Sequence, residues 1–214
     1  MKKTLFFSSV LFSAVLSAAP VQINILDYGN GVKDSTGQYD VGPYNLLLDM
    51  KTATPAMCMD DFIFNNSGEW MANATAANST NFNNTYLGSA GEKIDGHSFT
   101  SSQIYQAEAY LFSLIVKPGA DQAGIQEAAW FIMDPNNPTY ASNADMQSYL
   151  QLAANNAPTF DDSGYTILSA VDKNGTQQEF MVASAPEPTT VALLGAALLA
   201  AGVARFRRRK QMTA

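Results

Sequence analysis

Val21, Ile23 and Ile25 alternate with Gln22 and Asn24, a period of two that places the apolar side chains on one face of a strand. The strand runs to Asp27, where the turn Gly29-Asn30-Gly31 breaks it. A second strand is expected at Tyr44 to Met50, after Gly42-Pro43, and a third apolar run, AMCMDDFIF, covers Ala56 to Phe64. Asn65 to Gly91 is rich in Asn, Ser, Thr, Ala and Gly. That composition predicts a long loop or weak strands around Trp70 and Phe82. The period then becomes helical. Ile104, Ala107, Leu111 and Leu114 share one face of a helix that Pro118-Gly119 ends. Asp121 is placed to cap a second helix with the stripe Ile125, Ala128, Ala129 and Ile132, stopped by Pro135. A third helix is expected over Ala144 to Ala154, using Met146, Tyr149, Leu150 and Ala153. Finally, Tyr165 to Val171 and Thr176 to Val182 flank Asp172-Lys173-Asn174-Gly175, and Asn-Gly between apolar runs signals a β-hairpin. The pattern is that of one α+β domain, rich in strands, with about three helices and a C-terminal hairpin.

Charge divides the chain into parts. Five lysines, no arginine and eighteen carboxylates leave residues 20–185 at −13. A domain of that sign repels phosphate backbones, so nucleic acid is excluded as a partner. The remaining cations are terminal. Met1-Lys2-Lys3 precedes the apolar run Leu5 to Val15 and the small residues Ser17, Ala18 and Ala19, the layout of a secretory signal peptide over residues 1–19. That segment implies the secretion translocon and signal peptidase as partners. At the other end, Thr189 to Ala204 carries no charge. Its length as a helix is about 24 Å, short of the roughly 30 Å hydrocarbon core of a bilayer. The basic cluster Arg205, Arg207, Arg208, Arg209 and Lys210 follows. Such a cluster holds its side of the segment in the cytoplasm and leaves the acidic domain outside.

Pro186-Glu187-Pro188, the short hydrophobic helix and the basic cluster together resemble the PEP-CTERM sorting signal of Gram-negative bacteria. The resemblance covers residues 186–210, with 211–214 as a tail, and implies recognition by exosortase, cleavage near Pro-Glu-Pro, and delivery to the cell surface or extracellular matrix. Two prolines hold the backbone extended beside the membrane, as a processing site requires. A permanent tail anchor is the other use of such a segment.

Within residues 20–185 the usual catalytic patterns are missing. The one histidine, His97, stands in Asp95-Gly96-His97-Ser98, surroundings that read as a turn. No Gly-x-Ser-x-Gly elbow accompanies it, and no catalytic residue is assigned. Asp60-Asp61, Asp161-Asp162 and the Asp34 to Asp40 segment do not follow a calcium-loop pattern. They read as solvated carboxylates, and neither a metal nor a cofactor is expected. Cys58 is the only cysteine, so it makes no intrachain disulfide. In an exported protein it must be buried or committed elsewhere.

One commitment is suggested by Gly124-Ile125-Gln126-Glu127-Ala128-Ala129-Trp130. An apolar residue, glutamine, two residues and two apolar residues are similar to the glutamine motif of bacterial thioester adhesin domains. The resemblance implies that Cys58, on an earlier strand, joins Gln126, with Trp130 shielding the bond. The bland reading is a reduced Cys58 and a solvent-facing Gln126. The sequence is therefore read as an exosortase-sorted α+β surface protein. It serves as a noncovalent binding or structural module of the cell envelope or biofilm matrix, with extracellular polysaccharide as a partner. The rivals are a covalent adhesin that captures an amine-bearing surface partner through Cys58 and Gln126, and a secreted hydrolase built on His97.

Overall fold

The computed structural model describes residues 20–183 apart from positions 30, 62–67, 89–90, 95–96, 137, 141–142 and 173–176. The expected signal peptide, sorting signal and tail lie outside the described residues, as do positions 173–176 of the expected Asn-Gly turn. Among the described residues no helix is long and apolar enough to cross a membrane.

Six strands close into an antiparallel barrel. In chain order the strands are β1 (Val21–Asp27), β2 (Val32–Lys33), β3 (Asp40–Val41), β4 (Tyr44–Leu48), β5 (Thr52–Cys58), β6 (Glu69–Ala76), β7 (Glu92–Ile94) and β8 (His97–Phe99), then β9 (Tyr165–Ala170) and β10 (Phe180–Ala183). The barrel order is β1-β4-β5-β10-β9-β6, while β2-β3 and β7-β8 are separate ribbons. Helices α1 (Ser101–Ile115), α2 (Gln122–Met133) and α3 (Ala144–Asn156) lie between β8 and β9 in the chain.

One difference from the expected pattern has a physical cause. The second strand stops at Leu48, because Asp49 and Met50 adopt left-handed φ of 48° and 56° and Lys51 N–H returns to the Leu48 carbonyl at 3.0 Å. Left-handed backbone at both central residues gives the turn twist that a tight hairpin needs. In the polar stretch after Asn65 the strand expected around Trp70 is present: β6 is an eight-residue strand paired with both β1 and β9, and it closes the barrel. Its small residues hide the signal, since Ala72 is buried in the barrel while Asn73, Thr75 and Ala76 are not.

Alternation along the strands divides the core in two. Ile23, Tyr44, Leu46, Ala56, Cys58, Ala72, Leu168, Phe180 and Val182 form one cluster. Met57, Met59, Ile167 and Met181 join the helices in the other. Neighbours on one strand, Met57 and Cys58, thus belong to different cores, as a period of two requires. Helix α1 starts with a capping box, Thr100 and Gln103 each satisfying the other's backbone N–H. Helix α2 is capped by Asp121, which accepts from Gly124 N–H at 3.2 Å. From Gly124 to Met133 every side chain of α2 is buried, because the helix contacts β5 as well as α1 and α3.

Burial between these layers includes acids. Glu108 of α1 and Asp60 are fully buried and Glu179 is nearly so. Glu179 accepts from the Tyr105 hydroxyl and the Tyr86 backbone N–H, each at 2.8 Å, and from the Ser169 hydroxyl. Asp60 accepts from Glu179 N–H at 2.8 Å. Glu108 has neither carboxyl oxygen hydrogen-bonded among the described residues. Burial pushes Glu108 well above the ordinary glutamate range, and the negative fields of Glu179 and Asp60 add to it. Burial likewise raises Glu179, against the pull of its Ser169, Tyr86 and Tyr105 hydrogen bonds. For an acid whose folded pKa is raised, the stability it contributes is full below the unfolded value and is lost as pH rises toward the folded one. The midpoint of denaturant unfolding should therefore fall as pH rises from about 5 to 8. Glu108→Gln, which removes one of the two protons concerned, should make that decline shallower; an unchanged slope would show that Glu108 does not hold its proton in the fold.

Candidate functional site

The last residue of β5 is Cys58, held by pairing with Phe180 of β10. Its side chain belongs to the barrel cluster, and the thiol donates to the Asp60 carbonyl at 3.0 Å. Gln126 lies one turn into α2, on the part of the helix that is buried all round. Its carboxamide nitrogen donates to the Cys58 carbonyl, across 68 residues of chain. Cys58 and Gln126 are both 0% exposed. The bland expectation of a solvent-facing Gln126 is thereby corrected, and the reason is the contact of α2 with β5.

The carboxamide is half satisfied. Its nitrogen has the Cys58 carbonyl, whereas its oxygen is buried with no hydrogen-bond partner among the described residues. An unpaired buried amide oxygen costs on the order of 1–3 kcal/mol. A glutamine placed only for packing would be better replaced by leucine or methionine. Burial also pushes the Cys58 thiol well above its usual range, the charge of Asp60 adding to the rise, while the Asp60 backbone and the Trp130 indole act the other way. The thiol consequently keeps its proton.

Trp130 occupies the next turn of α2 beyond Gln126. Its indole edge is turned toward the thiol, and its N–H makes no regular hydrogen bond among the described residues. The ring packs against Tyr140 at 5.6 Å between centroids and edge-on against Tyr39 at 6.1 Å. Tyr140 in turn donates to Asp34 at 3.3 Å, and Asp34 gathers the Gln38 and Tyr39 backbone N–H groups at 2.8 and 3.1 Å. Next to Gln126, the buried Glu127 accepts from Ser35 N–H at 2.5 Å and from the Asn143 side chain. Asn143 also caps α3 through Asp145 N–H at 2.9 Å. One carboxylate therefore ties α2 to the β2-β3 region and to the start of α3, fixing the rotation of α2 that turns Gln126 toward Cys58.

Several expectations on other residues change. Asp60 and Asp34 are buried rather than solvated, since each satisfies backbone N–H groups that burial would leave unpaired. His97 opens β8, paired with Ile94, and Asp95 and Gly96 of its expected turn lie outside the described residues. Among the described residues no group of three His, Cys, Asp or Glu could hold a metal ion. Three acids escape a sequence reading of the site: Glu108, Glu127 and Glu179. Glu108 alone left a trace, as a carboxylate between Ile104 and Leu111 on the apolar face of α1.

No curated protein matches the chain. Among solved structures, the N-terminal domain of the Streptococcus pyogenes pilus tip adhesin Cpa is similar at 16% identity and a TM-score of 0.44, over 80% of this chain and 96% of that one. The N-terminal thioester domain of the fibronectin-binding protein SfbI from Streptococcus pyogenes is similar at 10% identity and a TM-score of 0.43, over 78% of this chain and 94% of that one. Residues 184–209 match the PEP-CTERM protein-sorting motif, so the chain carries the signal of an exported protein sorted by exosortase.

Proposed function

We propose that the exported domain is a covalent surface-attachment module whose working part is an internal thioester between Cys58 and Gln126. The observation that carries this reading is the burial of the Gln126 carboxamide against Cys58 with its carbonyl oxygen unpartnered. In the step, Cys58 Sγ attacks Gln126 Cδ, the Cδ–Nε2 bond breaks, and Nε2 leaves as ammonia with the thiol proton. The product is an acyl group that water cannot readily reach, because Cys58, Gln126 and Trp130 are all buried. An amine of an extracellular partner then attacks Cδ, forming an amide and returning the thiol to Cys58. Each molecule reacts once, so the protein is no enzyme. The sorting signal fits this role, since a module that bonds to an external partner must first be delivered outside.

A second reading, a noncovalent matrix or envelope module, is favoured by a cleft of about 550 Å³ between α1 and α3. Ile104, Ile132 and Leu150 lie on its floor, and Phe99, Gln103 and Gln151 stand beside them. Such a cleft suits a neutral ligand and needs no reaction at Cys58.

Two outcomes are expected. Protein recovered from the cell exterior should weigh one ammonia less than its processed sequence; methylamine should add to Gln126 and expose one thiol, and neither Cys58→Ala nor Gln126→Ala should show the deficit. A mass equal to the sequence, with Cys58 alkylating at once on unfolding, leaves the noncovalent module. The same preparation should end near Glu187 and lack Arg205 to Lys210, and replacing the five cations there with glutamine should leave unsorted precursor. Peptide mass mapping of the C-terminus checks this, and an intact tail on exterior protein would contradict it.

A further inference from the structure

The β2-β3 ribbon stands apart from the barrel sheet and lies against α2. Of residues 32–41 only Asp34 and Val41 are buried, so a single buried apolar side chain anchors the ribbon in the core. Hydrogen bonds fasten the rest, and three of them end beside the Cys58 and Gln126 site. Ser35 N–H donates at 2.5 Å to Glu127, the neighbour of Gln126. Tyr140, whose ring packs on Trp130, donates its hydroxyl to Asp34 at 3.3 Å. The Tyr44 hydroxyl donates to the Asp40 carbonyl at 2.6 Å, and Tyr44 shares the barrel cluster with Cys58. Tyr39 meets Trp130 edge-on. The two ends of the ribbon meet in a narrow base, where a Cβ on Gly29 would stand 2.7 Å from the Val41 carbonyl oxygen. Gly29 and Gly42 hold φ of 94° and 108°, and glycine moves between such torsions and ordinary ones at little cost. An exposed ribbon with few buried contacts, hung from one base between glycines, has the makings of a unit that opens locally while the domain stays folded.

We propose that the β2-β3 ribbon is a lid over the Cys58 and Gln126 site, and that solutes reach the thiol by release of this ribbon rather than by unfolding of the domain. Closed, the lid holds Trp130 and Tyr44 in place beside Cys58 and keeps water from the site. Open, it frees the Tyr39 face of Trp130 and gives an amine its approach to Gln126 Cδ. Glu127 couples the two states to the site, since the carboxylate that fastens Ser35 adjoins Gln126 on α2. As a gate for amines the lid rests on the thioester reading; as a cover of the thiol it does not.

The test uses exported protein carrying Gln126→Met, which removes the leaving group, fills a similar space and leaves the Cys58 thiol as the reporter. Alkylation of that thiol by iodoacetamide is followed by mass at urea concentrations below the unfolding transition. The rate should depend only weakly on urea, because release of the lid exposes far less surface than unfolding does. Adding Ser35→Pro, which deletes the N–H that Glu127 accepts, should raise the rate about tenfold, the weight of one hydrogen bond to a charged group. Should proline at 35 prevent folding, Tyr140→Phe keeps the ring, loses the hydroxyl that Asp34 accepts, and should raise the rate severalfold. Ile115→Val, at the last residue of α1, lowers overall stability and should leave the rate unchanged. A rate that climbs with urea as steeply as global unfolding, or one that neither Ser35→Pro nor Tyr140→Phe raises, would overturn the lid. The thioester reading fails on a different result, the absence of the ammonia deficit in protein that keeps Gln126. Where that deficit is found, the same two substitutions should speed methylamine addition by the same factor, and an unchanged speed would overturn the lid as a gate for amines.

Discussion

The hydrogen bond from the Gln126 carboxamide to the Cys58 carbonyl joins the two halves of the domain. Its donor stands on a helix buried from Gly124 to Met133 and its acceptor ends a barrel strand. The contact depends on both the rotation of α2 and the place where β5 stops. Glu127 sets the first by holding Ser35 and Asn143. Pairing of Cys58 with Phe180 sets the second. A polar side chain in so tight a place leaves an unpaired oxygen, and burying polar groups without partners is what folding normally avoids. The expense is concentrated around one cysteine, which is why it is read as chemistry.

The same region collects three buried acids, Asp60, Glu108 and Glu179. Asp60 links the two features, accepting the Cys58 thiol through its carbonyl and Glu179 N–H through its carboxylate. A domain that retains Glu108 and Glu179 in its interior keeps their protons at the expense of stability at higher pH. The thioester reading treats the unfavourable burial at Gln126 as the mark of a reaction.

Much of the architecture was legible because its signals are local. The three helices follow from the apolar spacing around Ile104, Ile125 and Met146, with Asp121 as the cap of the second; the caps at Thr100 and Asn143 come from the structure alone. The first strand follows from Val21, Ile23 and Ile25. Barrel closure was not legible, since β6 is written in Trp70, Met71, Ala72, Asn73 and Ala74, and only pairing with β1 and β9 makes such residues a strand. At the site, Cys58 and Gln126 stood out through a lone cysteine and a resemblance, and the structure brings them together. The roles of Glu127 and Glu179 are set by partners 92 and 93 residues away. No local pattern encodes such contacts.

The central claim concerns one bond. It is tested most directly by high-resolution diffraction from crystals of the exported protein, grown without added amine, with the Cys58 and Gln126 side chains left out of the starting phases. The account predicts continuous density from Sγ to Cδ at covalent length, with no density for Nε2. Separate density for a thiol and an intact carboxamide, in van der Waals contact and still donating to the Cys58 carbonyl, would contradict it.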